Sequence, residues 1–427
     1  MEALYRGEDF ALADSSESVT NILARYADIE DLFPDELAGK PLTYFTDWLV
    51  ENVHLVEITA YTDGDAYTIF ETMNDRGLSL TPADMLKGYL LANIADGEKR
   101  TQASNVWKAR VQALAELGKD EDADGIKAWL RSQHANTIRE RRAGALPQDF
   151  ELIGTEFHRW VRDHENGLAL TTSADFARFI DRDFAFFGRW YQRLRRAADA
   201  LRPGLECVHF NAQHNFTLQY PVLLAPLRLD DDETTALRKI RIVAGYLDIL
   251  MAPNDRNDHF GLRAMNGPQI HRLLARMTDY VETRSGQASR YSEYSKRGRG
   301  GYEIEHIWAD HPEHHTVEFA HAVEFQEYRN RVGGLLLLPK SFNASYGDLP
   351  YAQKREHYYG QNLLAASLHD RAYDHNPGFA HFIVESDLPF RPHAEFHKAD
   401  LDARQALYQK LAEQIWSPDR LAQEAAL

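Results

Sequence analysis

Residues 302–307 read Tyr-Glu-Ile-Glu-His-Ile, residues 333–338 read Gly-Gly-Leu-Leu-Leu-Leu, and Asn343 follows shortly after. The first segment reads as a short strand-like run that ends on an adjacent carboxylate and imidazole, Glu305 and His306. The second contains a further apolar run, Leu335–Leu338. Two strands followed by helical sequence with Asn343, Lys354 and Tyr358 predict a compact finger over 302–358. Successive strand residues point to opposite faces, so Glu305 and His306 can serve one ligand only if the chain bends beside them.

Outside the finger the chain reads as helical. Val19–Tyr26 and Tyr44–Val50 have helix-like apolar spacing, while Val53–Ala60 alternates like a strand. Thr81, Pro82 and Asp84 supply an N-cap, a first-turn proline and a capping-box carboxylate. They open a helix from Pro82 to Ile94 that buries Met85, Leu86, Tyr89 and Leu90. Apolar stripes over Val106–Leu114, Phe176–Leu194 and Leu237–Leu250 predict further helices, whose aromatics read as core in preference to a base-stacking platform. Gly118–Gly125 and Arg139–Leu146 read as surface connections. An amphipathic helix over Leu401–Trp416 is expected to pack back on the finger or the helical region. The expected fold class is mainly α: a helical N-terminal region (1–100), a helical middle region (101–289), and a C-terminal ββα finger embedded in helices (290–427).

At 427 residues the chain exceeds a single compact core. Its 44% hydrophobic and 26% charged residues are those of a folded globular protein, which excludes disorder as the default. The single cysteine, Cys207, excludes an internal disulfide framework and Cys-based zinc clusters; it reads as a buried thiol in a reducing compartment. No stretch approaches the ~18 apolar residues of a membrane span, and Met1–Asp14 lacks the pattern of a signal peptide, so a cytoplasmic location is expected. A net charge of −17 argues against a surface that coats nucleic acid indiscriminately. A local basic track still precedes the finger. Lys296, Arg297 and Arg299, with Arg290, Tyr291 and Tyr294 nearby, are candidate DNA contacts, or else a solvated linker.

Hydrolysing a phosphodiester needs an activated water and compensation for charge on the leaving 3′ oxygen. A histidine of near-neutral pKa can take the proton, and a hydrated divalent cation can stabilise the leaving oxygen. A carboxylate and a neutral amide oxygen suit Mg²⁺, which keeps several waters. The pattern resembles the HNH (ββα-metal) nucleases in the C-terminal form of GmrSD-type, modification-dependent restriction endonucleases. That form runs acidic-His-Ile, Gly-Asn-Leu with apolar residues, then an Asn leading into a helix with a Lys. Glu305, His306 and Ile307 match the first element, Asn343 and Lys354 the last, and Gly334 stands where the family has its middle Asn. The resemblance implies His306 as general base, Glu305 and Asn343 as ligands of Mg²⁺ or Mn²⁺, and Lys354 as a phosphate or helix contact. The family's middle Asn braces the loop carrying the catalytic His, a task for which Asn330 is the nearby substitute. His311 and His315 are alternative ligands, although His-rich loops without Cys usually read as solvated.

A second resemblance lies in Phe70–Leu90, FETMNDRGLSLTPADMLKGYL, which looks like the second signature of the ParB-like NTPase domain of the same enzymes. It implies that Asn74, Arg76 and Gly77 lie close to a nucleotide. The family's earlier Asp-Gly-Gln-Gln-Arg signature is absent; Asp63 and Gly64 read as a turn. The chain is therefore expected to begin partway through that domain, with a companion chain supplying the rest, or a truncated start, or nucleotide hydrolysis lost. Two functions stay open. One is a metal-dependent DNA endonuclease subunit of a restriction and phage-defence system; the other is a non-catalytic DNA-binding or regulatory subunit with a degenerate finger.

Overall fold

A computed structural model describes residues 6, 17–54, 81–252 and 265–426, which fall into two units, Met1–Gly77 and Leu78–Leu427. In the first unit, helix α1 (Glu17–Leu32) is followed by α2 (Lys40–Asn52). Gly39 at φ 72° and a proline in the first turn start α2, and the Phe33 and Phe45 rings meet edge to face at 6.2 Å. The strand expected over Val53–Ala60 lies, beyond His54, outside the described residues.

The second unit opens with α3 (Pro82–Ala92), where the Thr81 hydroxyl accepts from the Asp84 N–H and Asp84 returns a bond to the Thr81 N–H. Leu86, Tyr89 and Leu90 are buried and Met85 half-buried, as the local pattern requires. Helices α4 (Gly97–Ala115), α5 (Glu121–Gln133) and α6 (Ala185–Asp199) enclose an aromatic core. In it the Trp107 and Phe184 rings lie 4.5 Å apart, and Trp129 and Phe179 4.7 Å apart. A stretch of π-helix, Phe179–Phe184, leads into α6. The connection expected over Gly118–Gly125 is shorter than the composition suggested, because α5 already starts at Glu121. Acidic residues in its first turn favour the positive end of the helix, and Gly125 lets it approach Leu114 and Tyr191.

Helix α7 (Glu233–Met251) also departs from its apolar stripe: Tyr246 and Leu250 are exposed, while Asp248 is buried. Asp248 is neutralised by a two-pronged pair with Arg276, both contacts 3.0 Å, which rotates the buried face away from the purely apolar one. Arg276 belongs to α8 (Gly267–Arg284), which carries a capping box of Asn266 and Gln269.

Against α8 lies the only sheet among the described residues. Strand β1 (Tyr302–His306) pairs antiparallel with β2 (Leu335–Pro339) in the register Tyr302↔Pro339 to His306↔Leu335. The Leu run of β2 is explained by two cores, one on each face. Leu335 and Leu337 join a cluster with α8 and with α11 (Lys398–Ile415), whereas Leu336 and Leu338 join Trp308, Phe342 and Tyr358. From β2 the chain passes directly into α9 (Lys340–Tyr346) and then α10 (Tyr351–Tyr358), completing the ββα arrangement within a mainly helical protein. Helix α11 packs on the finger, and among the described residues no helix is long and apolar enough to cross a membrane.

Candidate active site

Glu305 and His306 end β1, and their side chains leave opposite faces of the strand. Ile307 continues the pairing through its N–H to the Gly334 carbonyl (2.9 Å), and the chain then bends at Ile307–Trp308. Trp308 pins the bend: its indole N–H donates to Phe396 O at 2.7 Å, and its ring packs among His315, Phe319 and Phe325.

The Glu305 carboxylate is buried, at 4% exposure, and its Oε1 accepts from Lys354 Nζ at 2.7 Å and from the Tyr358 hydroxyl at 3.1 Å. Lys354 is fully buried and also donates to the His306 carbonyl at 2.9 Å, so it ties α10 to the end of β1. Burial pushes the Glu305 carboxyl up and the Lys354 amine down, and each charge opposes the shift of the other. Both of these bonds to Glu305 fall on one oxygen, Oε1.

Asn343, on α9, donates from Nδ2 to the Ile304 carbonyl at 3.1 Å, which fixes its amide against the peptide preceding Glu305. Its Oδ1 is buried and has no hydrogen-bond partner. A buried amide oxygen left unpaired costs free energy unless something occupies it. An unpartnered neutral oxygen is a donor of the kind a small hard cation takes while keeping most of its waters. His311 and His315, by contrast, contact Glu313 at 2.8 Å and Glu318 at 3.2 Å. Among the described residues no group of three or more His, Cys, Asp or Glu is arranged to hold a metal.

His306 Nε2 lies 3.0 Å from Asn330 Oδ1, so the bracing neighbour singled out in the sequence touches the histidine directly. This bond places the proton on Nε2 and leaves Nδ1 as the basic nitrogen. Burial, then the Arg329 charge, push the imidazole down to about 4, with the Asn330 bond opposing them. His306 is therefore neutral at neutral pH and can accept a proton.

The structure also accounts for Gly334. A Cβ there would lie 3.1 Å from Leu401 Cδ1 and 3.3 Å from the Arg329 carbonyl, and one on Gly333 would lie 2.5 Å from the Gln405 backbone N. Gly333 N–H donates to Gln405 Oε1 at 2.7 Å. Backbone of α11 thus bars a side chain at Gly333, while at Gly334 a side chain would press mainly on the flexible end of Leu401.

Among the candidate DNA contacts, Lys296 and Arg299 line a cavity of about 660 Å³ with Gly300, Gly301, Tyr302, Lys340 and Ser341. Arg297 is not among its lining residues; its charge bears on His271 and Arg272 instead. Asn74, Arg76 and Gly77 lie outside the described residues. Arg329, which acts electrostatically on both Glu305 and His306, had no signal in the sequence: an arginine at a helix end beside Arg331 reads as surface.

Two family models match the chain. One, described as GmrSD restriction endonuclease, N-terminal domain, covers residues 3–91; the other, described as GmrSD restriction endonucleases, C-terminal domain, covers residues 256–411 and so includes the whole finger. Neither a curated protein nor a solved structure matches the chain.

Proposed function

The chain belongs to the GmrSD restriction endonuclease family, and from that membership we propose that it is a metal-dependent DNA endonuclease of the HNH type. It acts alone or as the nuclease subunit of a restriction and phage-defence system directed at foreign or modified DNA. The observation that carries this reading is the end of β1, where Asn330 fixes one nitrogen of His306, Lys354 and Tyr358 hold the preceding carboxylate, and the Asn343 amide, bonded to the Ile304 carbonyl, keeps an unpartnered oxygen.

In this reading His306 Nδ1 takes a proton from a water whose oxygen attacks the phosphorus. The bond from phosphorus to the 3′ oxygen breaks, and solvent protonates the leaving oxygen, giving a 5′-phosphate and a 3′-hydroxyl. Asn330 keeps the imidazole in the tautomer that can accept, and Lys354 with Tyr358 holds the Glu305 carboxylate in one orientation. A Mg²⁺ or Mn²⁺ ion held by Glu305 and Asn343 would supply positive charge against the leaving oxygen. Lys296, Arg297 and Arg299 contact DNA phosphates beyond the cut site. Nucleotide contact at Asn74, Arg76 and Gly77, and a companion chain completing the nucleotide domain, belong to the same proposal and rest on sequence resemblance.

The second reading, a DNA-binding or regulatory subunit that does not cut, is favoured by one observation: Lys354 already occupies Glu305 Oε1. Supercoiled plasmid, unmodified and carrying modified cytosines, incubated with the pure chain and Mg²⁺ separates the two. Nicking or linearisation that EDTA and His306→Ala both abolish supports the endonuclease. The same residual activity in wild type and His306→Ala sinks it.

A further inference from the structure

Arg329 ends the short helix Ala322–Arg329, and its Nε donates to the Trp308 carbonyl at 3.1 Å. This bond joins the segment before β2 to the bend after β1. Its main chain is held too: the Arg329 carbonyl abuts Gly334, and the next residue, Asn330, holds His306. The guanidinium is therefore positioned from both ends beside the proposed base.

Its charge is felt by Glu305, His306 and Asp310, yet among the described residues it forms an ion pair with no carboxylate. Its two terminal nitrogens have no hydrogen-bond partner there and are not among the atoms sealed from solvent. Arg331, two positions on, is partnered: it pairs with Asp402 at 3.1 Å and lies over the Tyr328 ring. Burial pushes the pKa of this half-buried Arg329 guanidinium down and the charges of Asp310, Glu305 and Asp348 offset that only in part, so an arriving anion meets a desolvated cation with two free donors. Its planar fork matches two oxygens of a phosphate, which the buried Lys354 amine cannot reach from under Glu305.

We propose that Arg329 is a phosphate-binding residue of the finger, its two terminal nitrogens taking the non-bridging oxygens of the scissile phosphodiester beside His306. The assignment rests on the reading of the finger as a DNA-cutting centre, and it names the group that positions the substrate there. The track of Lys296 and Arg299 lies at the other end of the sheet, four residues along β1 from His306, or roughly 13 Å at strand rise. Arg329 is therefore a separate contact from that track.

The test uses the full chain and a 30-base-pair duplex, with and without modified cytosines. Single-turnover cleavage is measured with Mg²⁺, and binding is measured in EDTA across a salt series. Arg329→Gln is expected to slow cleavage about 100-fold, and Arg329→Lys about 10-fold, because a point charge replaces part of the fork's action. Arg329→Gln should also reduce the salt-dependence slope of binding by about 1, while Arg331→Gln stays within about threefold of wild type in rate. Thermal melts of each variant separate loss of fold from loss of contact. Cleavage by a folded Arg329→Gln protein within about threefold of wild type, with an unchanged slope, overturns the assignment and leaves the nuclease reading standing. If the wild type binds without cutting, the slope decides: a fall supports the Arg329 contact while the nuclease reading fails, and an unchanged slope overturns both. A chain that binds no duplex also overturns both.

Discussion

Lys354 Nζ lies 2.7 Å from Glu305 Oε1, with the two side chains 1% and 5% exposed. Forty-nine positions separate them in the chain, and the pair joins the end of β1 to α10. Whatever the carboxylate does for a ligand, it does from within a buried ion pair.

Removing one partner strands the other charge in an apolar setting. Lys354→Met is therefore expected to lower stability by about 3–5 kcal/mol, and the double change Lys354→Met with Glu305→Leu to recover most of the loss. Urea denaturation followed by circular dichroism checks this; a single variant within about 1 kcal/mol of wild type would refute it.

The glycine pair in front of β2 predicts unequal costs. At Gly333 an added Cβ meets backbone of α11 that cannot yield, whereas at Gly334 its closest contact is the flexible end of Leu401. Gly333→Ala should cost about 1–3 kcal/mol, and Gly334→Asn, which restores the family residue, clearly less. Melting temperatures of the two variants decide the order.

Stability should fall on acidification, and His306 should contribute. Its folded-state pKa is depressed to about 4, against about 6.5 unfolded, by burial and the Arg329 charge, with Lys354 adding to and Asn330 and Asp310 opposing the shift. A depressed pKa means that the unfolded chain binds the proton more readily. The contribution is thus fully present above about 6.5 and is lost as pH falls toward about 4. Between pH 7 and pH 5 this amounts to about 2 kcal/mol. His306→Gln should lack that part of the loss, and denaturation midpoints at the two pH values measure it.

Cys207 should be almost inert. The residue is half-buried where a buried thiol was expected, and desolvation, with Asp248 nearby, pushes its thiol up to about 12. Since the thiolate is the reactive form, labelling by a thiol reagent at pH 8 should be about 10³-fold slower in the native protein than in urea. Comparable rates would show that the thiol is not held as described.

If Lys296 and Arg299 meet DNA phosphates, changing both to Ala should lower affinity for all duplexes alike and reduce the salt slope by about 2. A loss confined to one sequence would instead indicate base readout.

How much of this was legible depends on distance along the chain. The start of α3 could be read because Thr81, Pro82 and Asp84 act within one turn. The Leu run of β2 could be read as an apolar segment, and the pattern to Asn343 placed the helix after it, but that alternate leucines enter two separate cores shows only in space. Asn330 was named as a brace only because it lies close to Gly334 in sequence. The Lys354 partner of Glu305, the Arg276 partner of Asp248 and the position of Arg329 are products of packing, and no local pattern encodes them. The misplaced face of α7 has the same origin: a buried ion pair looks polar in sequence and behaves as core in space.

The division of β2 between two cores has a dynamic corollary. Alternate leucines anchor the strand to opposite sides of the molecule, so the hairpin cannot fray without opening both. Its amides should exchange with solvent only through the largest cooperative opening of the second unit, and should rank among the slowest in the chain. A centre mounted there is not switched by melting its own support. Its control falls to movements smaller than a strand, such as rotation of Lys354 or Arg329, or to events outside the finger altogether.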